Sequence, residues 1–161
     1  GDLRTSADIA FIFKQDSYVC SERYLGPVQF GKHLYDLIDD MNPEEAKCAE
    51  FLDQLPEVEC WVRNPVRYGF SLPTSTDKFY PDFICRLKDS RYLVVEYKNE
   101  KDWSNDDSKE KRMVGEAWER ASEGQCLFIM PLGMANDLNE IRAKVSQGLT
   151  GVTTGGQIEI R

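Results

Sequence analysis

Two carboxylates and a lysine sit inside two apolar segments of this chain, Tyr80-Pro81-Asp82-Phe83-Ile84 and Leu93-Val94-Val95-Glu96-Tyr97-Lys98. Apolar runs are buried, and an ionised side chain is costly to bury unpaired, so charges embedded in such runs point to a site. The chemistry open to two acids and a lysine is metal-assisted hydrolysis. Mg²⁺ takes oxygen ligands and keeps several waters, so Asp82, Glu96 and a backbone carbonyl, that of Tyr97, would leave positions for water and a phosphate. The cation would stabilise charge on the phosphoryl oxygens and lower the pKa of a water. Lys98 would orient that water or neutralise a pentavalent phosphorane. The bland alternative for the same residues is an Asp opening a strand and a surface ion pair between Glu96 and Lys98.

Whether the three side chains meet depends on strand geometry. Side chains alternate along a strand, so Glu96 and Lys98 share a face and Tyr97 looks the other way. Asp82 joins them only if the hairpin register places it opposite 96 or 98, because directly paired residues point to the same face. An odd-length turn centred on Ser90, within Lys88-Asp89-Ser90, pairs 82 with 98. A two-residue turn of Asp89 and Ser90 would send Asp82 to the wrong face unless a bulge intervened.

A third acid, and a fourth member of the set, comes from a helix. Asn42-Pro43-Glu44-Glu45 is a helix start, with Asn42 as N-cap, Pro43 in the first turn and Glu45 at the capping-box position; the helix is expected to reach about Leu55. At about 100° per residue, Cys48, Ala49, Leu52 and Leu55 share one apolar face and Glu45 falls within it, whereas Glu50 and Asp53 fall opposite. Glu45 either caps the helix or reaches a polar site beneath it, where it could bind a second metal or hold a water.

The remaining elements frame these residues. Residues 8–13 form a short apolar run, a strand or a docked segment. Residues 30–38 have helical spacing through Leu34, Leu37 and Ile38. Val58 to Val62 alternates as a half-buried strand does, and 65–79 is a loop with one short strand around Gly69 to Leu72. Residues 79–87 and 91–98 are the hairpin strands. Residues 105–123 are helical, with a stripe of Met113, Val114, Ala117, Trp118 and Ala121, stopped by Gly124. Cys126 to Met130 has the pattern of a strand buried on both faces. A last helix runs from Met134 toward Leu149, and the end from Thr153 is a strand or a tail. The predicted fold class is α/β, a mixed central sheet flanked by helices.

Length and composition set limits. The 161 residues, 30% charged and 41% hydrophobic, suit one soluble domain. No apolar run is long enough to span a bilayer, and the expected location is the cytoplasm. Five cysteines without metal-ligand spacing read as buried free thiols in a reducing compartment. The lone His33 reads as structural. A net charge of −8 argues against a domain that grips nucleic acid unaided, since phosphate binding rests on Lys and Arg.

Pro81-Asp82 followed by Glu96-Tyr97-Lys98 resembles the PD-(D/E)xK nuclease motif. The ordered set of Glu45, Ala49, Leu52 and Asp53, then Trp61-Val62-Arg63-Asn64, then the two motif strands, then Lys111 and Trp118, resembles the endonuclease domain at the C-terminus of type III restriction enzyme Res subunits and related DEAD/DEAH-type helicases. The resemblance covers about residues 30 to 131, with 1–29 an N-terminal extension and 132–161 a C-terminal helix and tail. It implies a restriction-endonuclease-like αβββαβ core and a Mg²⁺-dependent endonuclease, Mn²⁺ substituting, that cuts double-stranded DNA. The metal carboxylates carry over to Asp82 and Glu96, the lysine to Lys98 and the helix glutamate to Glu45. Lys111, Arg63 and Asn64 are expected to contact DNA or support the site. The chain has no GxxxxGK(S/T) loop, so ATP would act only through a helicase/ATPase portion elsewhere in a parent protein, and a methyltransferase subunit is a further expected partner. A repair or recombination nuclease and a catalytically silent docking module of the same fold are the alternatives.

Overall fold

Asn42 opens the first long helix as its residue type predicts: its side chain accepts from Glu45 N, and Glu45 Oε1 accepts from Asn42 N, a complete capping box with Pro43 in the first turn. This is helix α1 (Pro43–Gln54) of a computed structural model that describes residues 9–14, 16, 18–133 and 138–147. It follows a 3-10 turn at Phe11–Phe13. After it come strand β1 (Val58–Arg63), two-residue strands β2 (Leu72–Pro73) and β3 (Lys78–Phe79), then β4 (Phe83–Leu87), β5 (Tyr92–Val95) and β6 (Lys98–Asn99). Helix α2 (Asp106–Ala121), β7 (Cys126–Ile129), β8 (Leu132–Gly133) and α3 (Asn139–Val145) complete the order.

The fold is α/β. A mixed four-strand sheet in the order β1-β4-β5-β7 has antiparallel pairs at β1–β4 and β4–β5 and a parallel pair at β5–β7. Both of its faces are covered. On one, Ala49 and Leu52 of α1 and Ile141 and Val145 of α3 pack with Trp61, Phe83, Cys85, Leu93 and Val95. On the other, Trp118 of α2, Phe70, Phe79 and the N-terminal Ile9 and Phe13 pack with Val62, Ile84, Val94 and Phe128. Among the described residues no helix is long and apolar enough to cross a membrane.

The hairpin register meets the requirement read from the sequence, by a different turn. Phe83 pairs with Val95 and Arg86 with Tyr92, so the turn centres on Asp89 rather than Ser90. One further step places Asp82 opposite Glu96 instead of Lys98. The loop still has three residues, closed by Leu87 N to Arg91 O at 2.8 Å and Ser90 N to Leu87 O at 3.0 Å. Its third residue, Ser90, takes a left-handed φ of 76°, as three-residue hairpin loops require. That conformation is strained for a residue with a Cβ. Ser90→Gly is therefore expected to stabilise the chain by up to about 1 kcal/mol, read as a higher urea midpoint; a lower midpoint would show that the serine side chain itself holds the turn.

Several elements depart from the sequence reading. Residues 30–38 are not a helix. Their backbone is spent on the edge of β1, Leu34 N donating to Trp61 O at 3.0 Å and Trp61 N to Lys32 O at 3.1 Å; the sheet edge takes groups that a helix would satisfy internally. Of the two readings of residues 8–13, the docked segment holds and the strand does not: residues 9–13 dock as a helical turn that buries Ile9 and Phe13. Strand β1 is buried on both faces rather than half-buried, because a layer covers each face: Trp61 packs in one and Val62 in the other. A register shift between Val58 and Cys60 turns these two residues toward opposite layers. Residues 79–87 split into β3 and β4; the short strand expected around Gly69 to Leu72 lies at Leu72–Pro73 and pairs with β3 as a small hairpin of its own. The inward line of α2 runs through Ser108, Gly115 and Trp118, with Met113 exposed. The helix ends at Ala121, just before left-handed Glu123 and Gly124. Of the last helix, Asn139–Val145 is present; Met134, Leu149 and the chain from Thr153 lie outside the described residues.

Candidate metal centre

Strand β4 begins at Phe83, so the backbone just beyond β5 loses its ladder partner there. The two acids fill the gap. Asp82 Oδ2 accepts from Tyr97 N at 2.8 Å, and Glu96 Oε1 accepts from Asp82 N at 3.1 Å. Each carboxylate thus closes the other strand's end. Glu96 N continues the sheet on its other side, donating to Ile129 O of β7 at 3.0 Å. Tyr97 turns away, into the layer that contains α1.

Glu96 is 6% exposed. Its second oxygen, Oε2, lies 4.0 Å from Lys98 Nζ and 4.0 Å from Lys111 Nζ. Both distances are too long for a direct hydrogen bond, so this buried oxygen is faced by two ammonium groups that do not reach it. Burial pushes the Glu96 carboxyl well above its ordinary pKa and the neighbouring Asp82 adds to this, while Lys111 and Lys98 oppose it. Lys111 arrives on α2, three residues after the buried Ser108 and four before Gly115. A Cβ at Gly115 would lie 2.4 Å from the Phe128 ring, so the absent side chain lets α2 approach β7 closely. Asp107 Oδ2 at 3.1 Å and the Phe79 ring at 5.1 Å hold the Lys111 ammonium in place.

On the other side of Asp82 stands Arg63, the last residue of β1. Its Nη1 donates to Asp82 Oδ1 at 2.9 Å, its Nη2 to Glu45 Oε1 at 3.2 Å and its Nε to the Asp40 carbonyl at 3.0 Å. Glu45 therefore both caps its helix and reaches the site, and its link to Asp82 runs through the guanidinium. Burial raises the Glu45 pKa, opposed by Arg63 and reinforced by Asp82. His33 supports Arg63 from behind: Nε2 accepts from Arg63 N at 3.0 Å and Nδ1 lies 2.8 Å from Tyr35 O. Burial pushes the imidazole down to about 4, so it is neutral near pH 7 and serves as a structural acceptor.

Asn64, expected to contact DNA or support the site, does the second: it is 2% exposed and has its amide committed inside the fold. Nδ2 donates to Phe70 O and Pro81 O, each at 2.8 Å, and Oδ1 accepts from Phe70 N at 2.8 Å. Its backbone N donates to Asp82 O at 2.9 Å. Asn64 positions Asp82 and cannot face a ligand in this arrangement. Arg63 and Lys111, expected at the DNA, are turned to the carboxylates. The sequence held a signal for Lys111, its position between Ser108 and Gly115 on one helix line. For Arg63 the signal was a charged residue ending an apolar strand.

The donor set suits one hard cation. Asp82 and Glu96 supply carboxylate oxygens, each with lone pairs beyond the hydrogen bonds named, and Glu96 is buried with an oxygen that two cations face at a distance. Among the described residues no three His, Cys, Asp or Glu side chains converge as a ligand set. A cation would thus draw on two carboxylates, backbone and water. The four cysteines Cys48, Cys60, Cys85 and Cys126 are buried free thiols and Cys20 is half-buried; burial raises the Cys48 and Cys85 pKa values, which keeps them as inert core thiols. Comparison with protein-family models, with curated proteins and with solved structures finds no match to this chain.

Proposed function

We propose that this chain is the cleavage module of a Mg²⁺-dependent DNA endonuclease with a restriction-endonuclease-like αβββαβ core. The observation that carries the reading is Glu96, buried beside Asp82 with two lysine ammonium groups held 4.0 Å from one of its oxygens. A fold gains little from burying so many charges unless a ligand uses them. Asp82 and Glu96, with the Tyr97 carbonyl, would hold the cation. When bound, Mg²⁺ would supply positive charge against the phosphoryl oxygens and make a water more acidic. Lys98 would orient the attacking water, and Lys111 would neutralise a non-bridging phosphate oxygen. Glu45 and Arg63 position Asp82 from the side of α1. With a net charge of −8, most of the grip on double-stranded DNA would come from other parts of a parent protein, a helicase/ATPase portion and, in a restriction system, a methyltransferase subunit.

One observation favours a second reading. Asp82 and Glu96 close each other's strands and Arg63 already neutralises Asp82, so a silent docking module of the same fold would have its own use for the acids. Plasmid cleavage separates the two. With Mg²⁺ or Mn²⁺, a parent protein carrying this chain is expected to cut supercoiled DNA, and Asp82→Ala and Lys98→Ala are each expected to lose about 10²-fold or more in rate. Equal cutting by all three proteins would remove the catalytic assignment.

A further inference from the structure

The space between Asp82 and Glu45 already holds a cation, and that cation belongs to the chain. All three nitrogens of the Arg63 guanidinium are committed, to Asp82 Oδ1 at 2.9 Å, Glu45 Oε1 at 3.2 Å and Asp40 O at 3.0 Å. The Phe83 ring lies 5.4 Å from the guanidinium carbon and His33 fixes the Arg63 backbone. A guanidinium stays charged under all ordinary conditions. Burial pulls the Arg63 pKa down, and the pull of Asp82 and Glu45 more than offsets it.

A two-metal site places a second divalent ion against carboxylates shared with the first. Here Glu45 is the acid that Arg63 links to Asp82, and the guanidinium spans the two. We propose that Arg63 stands where a second metal ion would bind, so that this site takes one divalent cation, on Asp82 and Glu96. The inference rests on the metal reading of those two residues given above. Charge supports it. Four carboxylates, Glu45, Asp82, Glu96 and the more exposed Asp107, are set against three cations, Arg63, Lys98 and Lys111. One divalent ion leaves a surplus of one positive charge, which a bound phosphodiester cancels. A second divalent ion would add two more in a largely buried cluster, where uncompensated charge is costly.

The test is the stoichiometry of Mn²⁺ on the full chain, followed by electron paramagnetic resonance of the free ion during titration to saturation. The unaltered chain is expected to bind one Mn²⁺. Arg63→Gln is expected to bind two, Arg63→Lys one, and Arg63→Gln combined with Glu45→Gln one. Two ions on the unaltered chain, or one on Arg63→Gln, would overturn the inference and leave the metal reading standing. No ion on either chain, or an ion only when Arg63 is replaced, would overturn the metal reading of Asp82 and Glu96 and the inference with it. If Arg63→Gln is unfolded in metal-free buffer, Mn²⁺ is expected to restore its circular dichroism, because the ion takes the place of the lost charge; failure to do so would also overturn the inference.

Discussion

Glu96→Gln is expected to abolish cleavage, by about 10²-fold or more, while raising the stability of the metal-free chain near neutral pH. The two effects have one cause. Glutamine keeps the oxygen that accepts from Asp82 N and removes the buried negative charge that a cation would need. The sign follows from linkage. The folded-state pKa of Glu96 lies well above its ordinary value, raised by burial first and by Asp82 second. Between the ordinary carboxyl range and that raised value the folded chain binds more protons than the unfolded chain, so stability falls as pH rises through this window. The difference in unfolding free energy between Glu96→Gln and the unaltered chain should therefore grow with pH there and vanish below it. Mg²⁺ should stabilise the unaltered chain and leave Glu96→Gln unmoved. Urea unfolding across pH, with and without Mg²⁺, reads all of this. A variant less stable than the unaltered chain at neutral pH would show that the lysines, rather than burial, dominate the energetics of Glu96.

Asn64→Ala is expected to cost roughly 3–5 kcal/mol. It would orphan Phe70 N, Phe70 O and Pro81 O at once, all now satisfied by one amide that is 2% exposed. The loop over residues 65–69 depends on the same side chain. A Cβ at Gly69 would lie 2.0 Å from Asn64 Oδ1, and Arg67 holds a left-handed φ of 75°. Loss of the amide would therefore release both the strained loop and the segment leading into Asp82. Chemical denaturation measures the cost. A loss below about 1 kcal/mol, the worth of a single ordinary hydrogen bond, would mean that water replaces the amide and that Asn64 does not position Asp82.

Much of this arrangement is legible in the sequence, and the illegible part has a consistent cause. Local chemistry was readable: the Asn42–Glu45 capping box, the buried run at Cys126, and the parity that lets Asp82 and Glu96 meet. The three-residue loop was readable too, but its centre was not. Ser and Asp both tolerate turn positions, and only the tertiary pairing decides that Ser90, and not Asp89, takes the left-handed place. Residues 30–38 misled because the periodicity of Leu34, Leu37 and Ile38 cannot report an unpaired sheet edge waiting at Trp61. Helix α2 misled in another way. Of the stripe, Trp118 and Val114 pack inward, but the inward line also carries serine, lysine and glycine, so a hydrophobic stripe places the face partly to one side and misses that Lys111 faces Glu96. Arg63 was visible as a charge ending a strand, but its two carboxylate partners come from positions 18 residues before it and 19 after it, a convergence that only the folded chain reveals.

Asp82 and Glu96 are proposed to hold a divalent cation together, and crystals of the chain soaked in Mn²⁺ and measured at a wavelength where manganese scatters anomalously address this directly. An anomalous peak is expected, bonded at about 2.1 Å to one oxygen of Asp82 and one of Glu96. Full soaking with no peak between these two carboxylates, or a peak bound elsewhere with Asp82 and Glu96 unchanged, would contradict it.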